Sequence, residues 1–212
     1  MDRAGRARRW AGWLLLGGLA AAAWMGACGP DPEAGDQAQG DAVAEALEAG
    51  YAIDTVGVRN LTEGDTLNPD SGLTIIETTV TFQPTARQAE VIAWDFYAEA
   101  LRPVKLVLFR YVRSEETFEL VGESPTVIPR HLGVNRISLP EPIPVGRGSF
   151  YGIHQPEEGT IPFRRIRNWK TLITAEPYGR PFTPRTRFSM YGWRYAARVY
   201  YRYRPEEGVS AD

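Results

Sequence analysis

From Leu73 onward the chain is written in short alternating runs of apolar and polar residues. Ile76, Thr78, Val80 and Phe82 share one face of a strand predicted over Leu73–Phe82, and Ile92, Trp94 and Phe96 share a face over Val91–Ala98. Between Val104 and Val112 both faces are apolar, Leu106 and Leu108 on one and Val107 and Phe109 on the other, as in a strand covered on both sides. Shorter candidates are Phe118–Val121, Val134–Leu139, Phe150–Ile153 and Trp169–Thr174. In the last strand Trp193, Tyr195, Ala197, Val199, Tyr201 and Tyr203 share one face, while Arg194, Arg198, Arg202 and Arg204 line the other. Pro140, Pro142 and Pro144 stand at alternate positions, and because proline donates nothing to a ladder they mark an edge or a connector. Gly146-Arg147-Gly148 reads as a turn, after which Ser149 to His154 opens a new strand. Long helical periodicity is absent. The pattern predicts an all-β fold, an antiparallel sandwich over residues 51–205, followed by a disordered tail over 206–212.

The N-terminus has another character. Arg3, Arg6, Arg8 and Arg9 precede an apolar run from Trp13 to Ala27, which ends at Cys28-Gly29-Pro30. That order is a charged region, an apolar region and a small-residue cleavage site. With Gly26 and Ala27 directly before the cysteine, it resembles the lipobox of bacterial lipoproteins, with Met25 where that family most often has leucine. The resemblance implies a signal peptide over 1–27 and acylation of Cys28, with attachment to a membrane through the lipid. Gly29 in place of an aspartate implies the outer membrane if the cell is Gram-negative. Two alternatives stay open: cleavage without lipid after Ala23 or Ala27, and an uncleaved anchor, although about 15 apolar residues fall short of the ~20 that span a bilayer. Cys28 is the only cysteine, so no disulfide framework exists.

Charge sharpens the division. The net charge of −2 combines a positive start, an acidic stretch and a slightly positive domain. From Pro30 to Gly50 the acids Asp31, Glu33, Asp36, Asp41, Glu45 and Glu48 face no basic residue. Low hydrophobicity with one sign of charge predicts a solvated, extended tether over residues 28–50, with a marginal helix over Asp41–Ala49. Between Arg164 and Arg204 the only acid is Glu176, and Trp169, Tyr178, Phe182, Phe188, Tyr191, Trp193 and Tyr195 are interleaved with the cations. Such a surface suits an anionic polysaccharide, lipopolysaccharide phosphate or nucleic acid; the rival is a basic solvent face balanced by Glu115, Glu116 and Glu119. The export signal argues against nucleic acid as a partner.

Catalytic motifs are missing. No Gly-x-Ser-x-Gly elbow occurs, since Ser149 is followed by Phe150, and Gly146-Arg147-Gly148 lacks the third glycine of a phosphate loop. His131 and His154 are the only histidines, and no zinc-ligand spacing is present. His154 near Glu157 and Glu158 allows a metal site only if the fold brings them together. The adjacent pairs Glu115–Glu116 and Glu157–Glu158 point to opposite faces if extended. The loop from Glu63 to Gly72 offers oxygen ligands for a structural calcium, although its Asx and glycine residues are equally what turns require. The middle of the chain, from Ile92-Ala-Trp94 through Gly148-Ser-Phe-Tyr-Gly152, broadly resembles the jelly-roll accessory domains of secreted bacterial proteins, which implies the fold and no catalytic residue. The expectation is a lipid-anchored extracytoplasmic binding or structural module, with Trp169, Arg194, Arg198, Arg202 and Arg204 as ligand contacts and Cys28 as anchor. The alternatives are an envelope hydrolase with a fold-assembled acidic or histidine site, and a docking subunit bound to an envelope protein.

Overall fold

The computed structural model describes residues 43–205 except 63, 85–87, 176–177, 180 and 182–188. The expected signal peptide, Cys28, most of the tether and the tail lie outside the described residues. Within the expected tether, residues 43–48 form a helical turn in which Ala46 is fully buried. No helix among the described residues is long and apolar enough to cross a membrane.

Twelve strands follow among the described residues: β1 (Ala52–Gly57), β2 (Leu73–Glu77), β3 (Ala89–Ala98), β4 (Lys105–Val112), β5 (Thr117–Glu123), β6 (Gly133–Val145), β7 (Phe150–Gln155), β8 (Phe163–Arg165), β9 (Thr171–Thr174), β10 (Ser189–Tyr191), β11 (Trp193–Tyr195) and β12 (Ala197–Tyr203). Their order is β1-β12-β3-β6 in a four-stranded sheet, β10-β9-β2-β7-β4-β5 in a six-stranded sheet and β11-β8 in a ribbon. All pairings are antiparallel. The pairs β1–β12, β2–β7, β3–β6 and β4–β5 are those of one long hairpin, and β12–β3 and β7–β4 form when it is rolled over its own core. This is the jelly-roll order, so the expected all-β sandwich is the fold observed. What departs from it is the segment between β7 and β12. There β9 and β10 extend the larger sheet beyond β2, while β8 and β11 form a separate tongue.

The main core lies between the sheets. Val91, Trp94 and Phe96 of β3 and Val199 and Tyr201 of β12 meet Ile75, Leu106, Leu108, Tyr151 and Ile153 of the larger sheet. Trp94 and Phe96 stack with ring centroids 4.6 Å apart. A second cluster, Ile76, Val107, Phe109, Phe118 and Leu172, covers the outer face of the larger sheet. This explains why β4 is apolar on both faces. It also corrects the strand expected over Leu73–Phe82: β2 ends at Glu77, and all five of its residues are buried because each face meets a cluster. Thr78 to Phe82 leaves the sheet, and Phe82 returns to the core edge-on to Tyr201, 5.2 Å away.

Two further expectations change because of irregular register. Along β3 the ladder shifts between Val91 and Ala93, so Val91, not Ile92, joins Trp94 and Phe96 on the core side. The single strand expected from Trp193 to Tyr203 divides at Ala196, whose N–H donates to Pro162 O at 3.1 Å; β11 pairs with β8, and β12 with β1 and β3. The face assignment survives the break, since Tyr195, Ala197, Val199 and Tyr201 are all in the core. The proline run falls inside β6, which among the described residues pairs only with β3 at the sheet edge, where missing donors cost nothing. One close approach fixes a glycine: a Cβ at Gly152 of β7 would lie 2.4 Å from Ile75 O.

Candidate functional site

The tongue gathers much of the basic, aromatic region seen in the sequence. Its register sets Phe163 opposite Tyr195, Arg164 opposite Arg194 and Arg165 opposite Trp193. Phe163 and Tyr195 are buried and root the tongue in the core. Trp193 is stacked on both faces, by Phe163 at 4.1 Å and by Tyr191 at 4.1 Å, each at 17°. Its ring is therefore closed to a ligand, and the open platform is Tyr191, 37% exposed at the end of the stack. After β8 the chain turns through Asn168, at φ 69°, with Ile166 N–H donating to Gly192 O at 2.7 Å. A Cβ at Gly192 would lie 2.9 Å from Ile166 O, so glycine lets the two sides close. Arg165, Ile166, Arg167, Gly192 and Trp193 line a groove of about 240 Å³. Arg165, Arg167 and Lys170 are exposed, and among the described residues their side chains form no ion pair.

The arginines of the last strand are employed differently. Arg198 donates to the fully buried Asp95 at 2.6 Å and to Arg59 O at 2.9 Å. Tyr200 OH donates to the same carboxylate at 2.7 Å, and Arg136 stands 3.9 Å from it. Arg202 pairs with Glu90 at 2.9 Å and lies over the Tyr51 ring at 4.6 Å; Arg204 lies over the same ring at 5.0 Å. Arg194 lies over Trp169 at 5.6 Å. Thus, of the five expected contacts, Arg194 and Trp169 belong with the tongue. Arg198 and Arg202 bind carboxylates of the neighbouring strand β3, and Arg204 sits by the chain's entry into β1. The sequence pattern could not reveal those partners, because Asp95 and Glu90 are more than a hundred residues away.

Behind the tongue lies a residue that periodicity did not single out. Glu77, at the end of β2, is fully buried and accepts from Trp169 Nε1–H, from Thr171 Oγ1–H at 3.1 Å and from Tyr195 N–H at 3.0 Å. Burial outweighs these donors and pushes its pKa up to about 7. Tyr151, on β7, has its pKa raised well above the usual value by burial and then by Glu77. The available signal was a lone acid closing the apolar run Leu73–Ile76.

The other candidates resolve into structural roles. His154 Nδ1 is 3.0 Å from Thr74 Oγ1, and its ring lies against Tyr178 at 4.7 Å. Burial, then Lys105, lowers its pKa and favours the neutral ring. Lys105 Nζ and Tyr178 OH both donate to Glu123, at 2.9 and 2.8 Å. Leu120, Glu123, His154 and Tyr178 help line a concavity of about 520 Å³, but Thr74, opposite His154 in the register, and Thr174, beyond it on β9, are buried, so this network pins the segment carrying Tyr178 onto the sheet. His131 Nε2 lies 3.0 Å from Val134 O. Glu158 pairs with Arg102 at 2.8 Å. In the proposed calcium loop Asn68 Oδ1 accepts from Asp70 N–H at 3.0 Å and Asp65 Oδ2 from Arg165 N–H at 3.2 Å; Glu63 lies outside the described residues. Among the described residues no three of His, Cys, Asp and Glu converge into a group able to hold a metal ion.

Fold and site together define a jelly-roll sandwich with a cationic, aromatic tongue inserted between its seventh and eighth jelly-roll strands. The chain matches no protein-family model, no curated protein and no solved structure.

Proposed function

We propose that the protein is a lipid-anchored extracytoplasmic binding module whose tongue contacts anionic polysaccharide. The observation that carries this reading is the set of exposed cations Arg165, Arg167 and Lys170, without an ion-pair partner among the described residues, beside the Tyr191–Trp193–Phe163 stack. Forked guanidinium donors suit sulfate, phosphate and carboxylate groups, and the open face of Tyr191 offers a sugar ring an apolar surface. The order of charged, apolar and small residues ending in Cys28 supports the anchor. The test is retention of the full chain, in detergent, on immobilised anionic and neutral polysaccharides. Arg165→Ser with Arg167→Ser abolishes retention on the anionic matrix, and rising salt weakens it, since exposed charges are screened beyond ~8 Å at physiological ionic strength. Arg198→Ser with Arg202→Ser lowers stability and leaves the affinity of the folded fraction unchanged. Absence of retention on any anionic matrix refutes the reading. A second reading, docking to an envelope protein, has in its favour the edge strand β10 with Met190 63% exposed.

A further inference from the structure

We propose that Glu77 is a proton-operated latch on the tongue, so that binding of an anionic ligand is coupled to uptake of a proton. This rests on the ligand reading above and adds the regulation of that site.

The starting point is a count of hydrogens. The Thr171 hydroxyl has one hydrogen, yet its oxygen is within hydrogen-bond reach of Glu77 Oε2, at 3.1 Å, and of the Trp193 carbonyl. If Glu77 is ionised both neighbours only accept, and one hydrogen cannot serve two acceptors. If Glu77 is protonated on Oε2, its O–H donates to Thr171 Oγ1 and the Thr171 hydrogen goes to Trp193 O. Trp169 Nε1–H then uses the remaining lone pair of Oε2, and Tyr195 N–H uses Oε1. In the protonated form Glu77, Thr171, the Trp169 indole, the Tyr195 amide and the Trp193 carbonyl all have a partner; the buried hydroxyls of Tyr151 and Tyr195 stand outside this set. On ionisation the carboxylate is the stronger acceptor and draws the Thr171 hydrogen to itself. The carbonyl of Trp193, the wall of the groove, loses that partner.

Charge acts in the same direction. The groups facing Glu77 are Tyr151 from β7, Thr171 from β9, Arg194 and Tyr195 from β11, and Trp169. Tyr151 and Tyr195 have pKa values raised chiefly by burial, so both stay as neutral phenols. Arg194 is therefore the one charge in that set. An ionised Glu77 offsets the charge of Arg194 and so lowers the positive potential that the tongue presents to an anionic ligand, whereas a neutral Glu77 leaves that potential intact. Burial, which raises the Glu77 pKa, places the exchange in the neutral range. The two histidines stand elsewhere, His131 beside the start of β6 and His154 on the outer face of β7.

Coupling of one proton changes affinity by at most about tenfold per pH unit. The experiment measures binding of the full chain, in detergent, to fluorescent dextran sulfate from pH 6 to 8.5. Affinity of the native protein falls several-fold as pH rises, Glu77→Gln flattens the curve, and His131→Gln leaves it as it was. A flat native curve with binding intact overturns the latch and leaves the ligand reading standing; no binding at any pH overturns both. The Trp169 indole and Tyr195 amide proton resonances of the native chain shift together with a midpoint in the neutral range. Constancy of both overturns the latch, even if Glu77→Gln fails to fold.

Discussion

Replacing Glu77 by glutamine makes the sharpest test of the core, because its effect changes sign with pH. In the unfolded chain the carboxyl ionises near its ordinary 4.5, and in the folded chain at about 7. Below pH 4.5 both states hold the proton and nothing is lost. As pH rises from 4.5 to 7 the unfolded state ionises while the buried group does not, so stability falls, and above 7 the loss is complete. At about 1.4 kcal/mol per pH unit the loss amounts to roughly 3 kcal/mol. Glutamine removes this pH-dependent loss. Its carbonyl still accepts from Tyr195 N–H, and its amide can donate to Thr171. It also sets an N–H against the Trp169 indole N–H, which leaves that donor unpaired and costs about 1–2 kcal/mol. The variant should therefore be less stable than the native protein by about 1 kcal/mol at pH 5 and more stable by about 2 kcal/mol at pH 8, with the curves crossing near pH 6. Urea unfolding at constant m-value, followed by circular dichroism, reads this directly. Equal destabilisation at both pH values would falsify the protonation assignment.

Three other outcomes are specific. Asp95→Asn leaves Arg198 and Tyr200 facing a weaker acceptor in a buried site and costs about 3 kcal/mol, seen as a lower urea midpoint without loss of polysaccharide retention. Gly152→Ala drives a methyl to within 2.4 Å of the Ile75 carbonyl and lowers stability by about 1–3 kcal/mol or more, read from the melting temperature. Cys28→Ala moves the protein from the detergent phase to the aqueous phase on cell fractionation; retention in the membrane fraction rules out acylation as the anchor.

The sequence made the fold class readable because half-buried strands impose a period of two, which Tyr195–Tyr201 carries openly, and because a short run apolar on both faces, Leu106–Phe109, reads as a strand covered on both sides. The short strands β1, β8 and β10 escaped, since three to six residues hold too few periods to stand out. Irregularity was invisible for another reason. Nothing local marks Ile92 as a register shift or Ala196 as a break, because both are imposed by the partner strands. For the candidate site, the charge pattern of the sequence marked the segment that carries the tongue. It could not separate Arg165 and Arg167, which have no ion-pair partner among the described residues, from Arg198 and Arg202, whose carboxylates are supplied by β3. Glu77 was hidden because one acid at a strand end ordinarily faces water, and only the tongue folding back over it makes it a core residue.

The pairing of β1 with β12 has a consequence for the order in which the molecule can assemble. Among the described residues β1 is an edge strand with β12 as its sole neighbour, and Ala52 lies opposite Tyr203. The first strand thus has nothing to pair with until the last has been made and released, and closing so long a loop is slow. The local hairpin of β4 and β5 can form early, and the four-stranded sheet closes last. A chain wired in this way cannot complete its four-stranded sheet until its C-terminal strand is free to pair, so synthesis of β12 sets the earliest moment at which the sandwich can close.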